Sequence, residues 1–381
     1  MPTFALRGAL AVAVTVSLLT SAAPATATTE AAEATRVAQA VLPRPTGPYP
    51  VGTTTLHLVD DSRPDPWVPS EKSRQILVSL WYPARSNQGP TAPYMTPQES
   101  ALLLEGQGIE GLPPDILSRT RTNAVAEAPP AGRGRSLPLV MLSPGLTAPR
   151  SSLTALAEDL ASRGYVVAGV DHTYESFGTT FPDGHTTTCV ACQSWDSPEY
   201  GAKSTKVRAA DVSFVLDRLT GPRPAWRHAR LINPSRIAMA GHSIGGGSAT
   251  WAMLGDSRID AGVNMDGAFH IPIPERGLSR PFMFLGEPKT HVPTGTDATW
   301  GRDWPRLTGW KRWFTVGRAD HTSFTDYPLI TDQLGLDPGD RLPGTRLVEI
   351  TRRYVGAFLD LTLRHRSQPF PRYPEVTSWR P

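Results

Sequence analysis

Residues 236–249 read RIAMAGHSIGGGSA. RIAMA is a short apolar run of strand type. Gly241-His242-Ser243-Ile244-Gly245 follows as the chain's single G-x-S-x-G, and Gly246, Gly247, Ser248 and Ala249 lead into a short apolar helix ending near Leu254. A serine that is to react must be lifted clear of the sheet on a sharp strand-to-helix turn, with small neighbours so that backbone can approach it. The pentapeptide alone would carry little weight. Its place between a strand and a helix is what counts.

Outward from this turn, short apolar runs alternate with helical patterns. Residues 76–82 (ILVSLWY), 137–142 (LPLVML) and 165–170 (YVVAGV) are strand candidates before it. Residues 261–265, 281–285 and 312–316 are strand candidates after it. Leu153, Leu156, Ala157 and Leu160 fall on one helical face, closed by Gly164, and Val207, Ala210, Phe214 and Val215 mark a second helix. A third stripe, Leu347, Ile350, Tyr354, Phe358 and Leu361, ends the chain. Strands alternating with helices predict an α/β architecture, a mostly parallel sheet covered on both faces. With the serine turn, this is the α/β-hydrolase fold. It is expected over residues 46–381, with 171–203 as an insertion over the site.

A serine hydroxyl is a weak nucleophile until a base takes its proton, and the base needs an acid to orient it. In this fold they follow in the order serine, acid, histidine. Downstream lie His270, His291, His321 and His365. His321 falls just past a predicted strand, where a loop can hold an imidazole at the sheet's carboxyl edge. His270 sits only a few residues past a strand, and His365 in the tail of the last helix. Two acids end strands, Asp266 and Glu287, and spacing does not separate them. Backbone N–H groups would hold the oxyanion, one from Ile244 and one from Leu146 in the loop Leu142-Ser-Pro-Gly145-Leu146.

The 381 residues include 38 Lys+Arg and 35 Asp+Glu, with 39% hydrophobic residues. That is ample for a core, and a net charge of +3 without a dense basic block excludes nucleic acid as the main partner. Residues 1–27 carry one cation (Arg7), an apolar run over 9–19 and a small-x-small end at Ala25-Thr26-Ala27. This is the pattern of a cleaved secretory signal peptide and is too short for a transmembrane span. Residues 28–45 are expected to be a flexible leader of a secreted, extracellular protein. In an oxidising compartment Cys189 and Cys192 predict a local disulfide that staples a loop, and their surroundings match neither a redox helix nor a standard zinc pattern.

Residues 74–327 resemble the platelet-activating factor acetylhydrolase family of secreted and type II serine esterases. VSLWYPA, LSPGLTAPRSSLTALAEDLASRGYVVAGVDH, RIAMAGHSIGG, IDAGVNMDGA and VGRADHTSFTD carry the likeness. The resemblance implies Ser243 as nucleophile and His321 as base, within an H-x-x-F-x-D context. It makes Asp266, 23 residues past the serine, the acid, with Leu146 and Ile244 as oxyanion donors. It implies no cofactor or metal, and short or oxidised sn-2 acyl esters of phospholipids as substrates alongside small acyl esters. Pro144 stands where the family often has His, and Asp171-His172 replaces a Glu-His pair. A weaker likeness, to secreted bacterial cutinases and polyesterases, would move the acid to Glu287, and a lipase could use the same triad. A non-catalytic binding protein or an acyltransferase on the same scaffold is the reading from another class. Trp300, Trp304, Trp310 and Trp313 among Arg302, Arg306, Lys311 and Arg312 suggest a peripheral contact with a lipid interface.

Overall fold

A computed structural model describes residues 39–367 and 369–380. The expected signal peptide and most of the leader lie outside them. Ten strands form the main sheet: β1 (Val51–Asp60), β2 (Arg74–Pro83), β3 (Val125–Ala126), β4 (Leu137–Ser143), β5 (Val166–His172), and, past a two-stranded hairpin of β6 (Thr179–Thr180) and β7 (Thr186–Thr187), β8 (Ile232–His242), β9 (Ile259–Met265), β10 (Phe282–Gly286), β11 (Lys311–Val316) and β12 (Val376–Trp379). Their order is β12-β11-β10-β9-β8-β4-β5-β2-β1-β3. From β5 through β4, β8, β9 and β10 to β11 every pairing is parallel. Antiparallel β2 and β1 extend one side and antiparallel β12 closes the other. This is an α/β-hydrolase fold.

The helices are α1 (Pro97–Gly106), α2 (Thr154–Ser162), α3 (Tyr200–Thr220), α4 (Ile244–Gly247), α5 (Ala249–Gly255), α6 (Thr299–Asp303), α7 (Tyr327–Gln333) and α8 (Gly344–Arg364). The central strands are buried on both faces, so they read as continuous apolar runs and not as alternations. One face packs with Val212, Val215 and Leu216 of α3, the other with Leu156 and Leu160 of α2 and Ile350 and Phe358 of α8. No helix among the described residues is long and apolar enough to cross a membrane.

The strands expected from sequence all form, most of them a residue or two longer. Among the elements not anticipated are β1, α1, α6, α7 and β12. β1 opens with Val51-Gly52-Thr53-Thr54-Thr55, too polar to announce a strand, and it is held by its ten-residue antiparallel register with β2. Residues 171–203 are not all insertion, since Asp171 and His172 end β5 and Tyr200 opens α3. Between them lie the β6–β7 hairpin and the Cys189–Cys192 disulfide.

The tryptophan cluster has a different place from the one expected. Trp300 and Trp313 are fully buried core residues, Trp304 packs against them, and Trp310 packs on the opposite face. Trp300, Trp304 and Trp313 pack around Phe284, and Trp310 packs on Phe358 and Phe370, so the four indoles do not line up as one exposed belt.

Candidate active site

The strand β8 ends at His242, and Ser243 is left at φ 54°, ψ −130° before α4 begins. The turn can close this tightly because Gly241 and Gly245, two residues to either side, carry no Cβ. A Cβ on Gly245 would run into the carbonyl oxygens of Ser143 and Pro144, and one on Gly241 would run into Gly245 itself. The turn is thus pressed against the loop after β4, the loop expected to supply an oxyanion donor. Asp266 follows β9 directly, also at positive φ (60°), with its N–H on the carbonyl of Leu285. His321 opens a short turn after β11, which Asp320 caps through the N–H of Thr322.

The sheet brings these three side chains together from points 23 and 55 residues apart along the chain. Ser243 Oγ lies 2.9 Å from His321 Nε2, and His321 Nδ1 lies 2.6 Å from Asp266 Oδ2. With Nδ1–H donating to the carboxylate, Nε2 is free to accept the serine proton. Asp266 is buried, whereas the His321 side chain is 55% exposed, as a group that must meet substrate should be. Burial alone would raise the Asp266 carboxyl. Hydrogen bonds from His291 and His321 outweigh it and hold the group down, at about 2. Glu287, the other acid candidate, does not reach His321. Its carboxylate accepts the N–H groups of Lys289 and Thr290, while its own N–H donates to Asp266 Oδ1 at 2.8 Å.

Leu146 and Ile244 flank Ser243 on the wall of one cavity or in the turn itself. Ile244 is the first residue of α4, so its N–H has no partner inside the helix. Neither N–H meets an acceptor among the described residues. The loop before Leu146 is held from beneath by Arg208 of α3, which donates to the carbonyls of Pro144 and Gly145, to Ser143 Oγ, and to Glu175 at 2.9 Å. Glu175 returns its own carbonyl to the N–H of Thr147. Ala191, Val190 and Cys189 of the stapled loop pack into the same apolar cluster as Ile244 and Leu146.

Sequence reasoning passed over several of these residues. Arg208 and Glu175 are charges in apolar surroundings whose partners are far away in sequence. His242 donates from Nε2 to the carbonyl of His321 at 2.6 Å, and burial followed by the charge of His321 pulls it down to about 3, so it stays neutral. His291, weighed only as a base, instead meets Asp266 from behind. Its position directly after a strand end that also carries Glu287 was the one available signal. Asp266, Glu287 and His291 bring ligating atoms within 4.8 Å of one another. All three are committed to the hydrogen bonds just given, which suits a protein network better than a metal ion.

A cavity of about 370 Å³ opens on Ser243 and His321. Its walls are Leu103, Leu104, Ile109, Leu112 and Leu117 on one side and Pro328, Ile330, Leu334 and Leu336 on the other, with no Lys or Arg. A larger cavity of about 480 Å³ lies against β1 and β2 and does not reach the serine.

The family model of platelet-activating factor acetylhydrolase, isoform II, matches residues 34–196, ending before the serine turn. A probable 1-alkyl-2-acetylglycerophosphocholine esterase of Arthroderma benhamiae is 28% identical over 88% of this chain and 93% of its own. The platelet-activating factor acetylhydrolase of Cavia porcellus is 22% identical over 77% and 70%. The chain is similar to the platelet-activating factor acetylhydrolase family. Like these relatives, which are named as esterases, it is a carboxylic ester hydrolase. The solved structure of a ferulic acid esterase from Streptomyces cinnamoneus is more similar in sequence, 43% identical, covering 90% of this chain and all of its own at a TM-score of 0.80.

Proposed function

We propose that the chain is a secreted serine esterase whose nucleophile is Ser243. His321 takes the serine proton and returns it to the leaving alcohol, Asp266 orients His321, and the N–H groups of Leu146 and Ile244 hold the oxyanion. Water then repeats the cycle on the acyl-enzyme. The continuous contact from Ser243 through His321 to Asp266, at the mouth of an apolar cavity, is the observation that carries this reading. Secretion rests on the signal-like residues 1–27 and fits the disulfide.

A cavity of about 370 Å³ lies near the small end of ligand sites, which run from about 300 to 1,000 Å³. It suits one acyl group, not a whole lipid. With no Lys or Arg in its wall it offers a phosphate no ion pair, so a phospholipid would place its short or oxidised sn-2 chain inside and its headgroup in solvent. The name of the Arthroderma benhamiae relative supports this substrate class. A second reading, an aromatic acyl ester, is favoured by the higher identity to the ferulic acid esterase and by the same apolar walls.

The test compares kcat/KM of the purified chain on a 2-acetyl glycerophosphocholine, methyl ferulate and p-nitrophenyl butyrate, with Ser243→Ala as control. Phospholipid turnover at least tenfold above the ferulate supports the first reading and the reverse supports the second. Activity on none of the three would remove both.

A further inference from the structure

Asp266 holds two imidazoles, and the serine mechanism uses only one of them. Behind it His291 donates from Nδ1 to Asp266 Oδ1 at 2.7 Å and from Nε2 to Asp297 Oδ2 at 3.0 Å. A neutral imidazole has a single N–H, so its other nitrogen would set a lone pair against a carboxylate. Either acid could relieve this only by carrying a proton itself, and neighbouring donors disfavour that. Oδ1 of Asp266 also accepts the N–H of Glu287, and Oδ2 accepts from His321. Asp297 accepts the Thr299 N–H and the Thr299 hydroxyl, whose oxygen is itself taken by the N–H of Phe269. Both carboxylates are therefore acceptors, and His291 has to donate from both nitrogens.

We infer that His291 is a positioning residue, a buried imidazolium clamped between Asp266 and Asp297 that sets the rotation of the catalytic carboxylate and offsets part of its charge. The inference rests on Asp266 being the acid of the proposed mechanism. With Oδ1 pinned by His291 and Glu287 N–H, Oδ2 is the oxygen left for His321. The cation is caged as well as paired. The Trp300 ring stacks on it at 4.2 Å, and the Trp300 indole N–H binds the carbonyl of Gly267, next to Asp266. The His291 carbonyl in turn accepts from Trp313 Nε1 at 3.0 Å.

The ionisable groups facing this imidazole are Asp266 from the end of β9 and Glu287 and Asp297 from its own loop. His321 stands beyond Asp266, and His270 lies within the field of Asp297. Trp300 of α6 and Trp313 of β11 add none. Burial works against the charge, but the hydrogen bonds to Asp266 and Asp297 exceed it and lift His291 to about 9. A cation here offsets part of the charge that Asp266 presents to its other partner, and removing it leaves the full carboxylate charge facing the serine–histidine pair.

The experiment is the pH profile of kcat/KM on p-nitrophenyl butyrate for the full chain, wild type against His291→Gln and Asp297→Asn. His291→Gln keeps an N–H donor near Asp266 and loses the charge. Its acid limb is expected to move up by about half to one pH unit, with KM little changed. Asp297→Asn should move it the same way by less. A folded His291→Gln whose acid limb stays within about 0.2 units of wild type, even with a lowered Tm, would overturn the inference. Should neither variant fold, ring-nitrogen NMR of the ¹⁵N-histidine wild type decides. One histidine must carry protons on both nitrogens at pH 7.5, and finding every ring neutral would also overturn it. Loss of activity in Asp266→Asn without any shift in His291→Gln would reject this role and leave the triad standing, whereas an active Asp266→Asn would reject the triad itself.

Discussion

Replacing Asp266 by Asn should do more than remove a charge, because the carboxylate serves three donors with two oxygens. Oδ1 takes His291 Nδ1–H and Glu287 N–H, and Oδ2 takes His321 Nδ1–H. An amide has one acceptor oxygen. Two donors, one of them fixed backbone, compete for it at the Oδ1 side, which turns the amide NH₂ toward His321. That NH₂ can only donate, so His321 must present a bare Nδ1 and carry its proton on Nε2, the nitrogen 2.9 Å from Ser243 Oγ. The base then cannot accept the serine proton. A wrong tautomer of this kind costs about 10⁴ in kcat, or about 5 kcal/mol of transition-state stabilisation. Glu287→Gln keeps a side-chain oxygen for the N–H groups of Lys289 and Thr290 and leaves the backbone N–H on Asp266 in place, so it should stay within about fivefold of wild type, under about 1 kcal/mol. Initial rates on p-nitrophenyl butyrate at pH 8, with circular dichroism to verify folding, measure both. An Asp266→Asn enzyme within tenfold of wild type, or equal losses in the two variants, would refute the reasoning.

Ser243→Ala should lower kcat by about 10⁶ with the fold intact, read by burst and steady-state assays. Gly245→Ala places a methyl against the carbonyls of Ser143 and Pro144, so the β4 loop must move; both activity and Tm should drop, the latter for about 1–3 kcal/mol of overpacking. Reduction of Cys189–Cys192 opens a very short loop, worth at most about 2 kcal/mol in chain entropy. Because that loop packs on Leu146 and Ile244, kcat should fall more than stability does, and a reduced enzyme with full kcat would count against that coupling. The buried pair also predicts a pH window for stability. Asp266 is held near 2, so its contribution is present above about pH 4 and lost as pH falls through 2. His291 is raised to about 9, so its contribution is complete below about pH 6.5 and lost as pH rises through 9. Thermal melts should therefore decline between pH 7 and 9, with a slope that flattens in His291→Gln.

How much was legible in the chain differs between the strands and the charges. β8 and its turn could be read from RIAMAGHSIGG because a parallel central strand is apolar throughout and the turn admits only small residues. The tryptophan-rich stretch misled, since Trp beside Arg and Lys looks alike on a surface and in a core whose cations are tied to nearby carbonyls. Arg306, for instance, reaches the carbonyl of Ile273, and Lys311 reaches that of Trp304.

Ser243, His321 and the order in which their acid must fall were determined by local text, where strand ends, glycines and spacing act over a few residues. Which acid reaches His321, that Arg208 braces the loop carrying Leu146, and that His291 lies charged behind Asp266 were decided by the sheet. Parallel strands bring their carboxyl ends side by side whatever their separation in sequence. Hydrogen bonds and charge coupling follow distances in space, and those exist only once the sheet has formed.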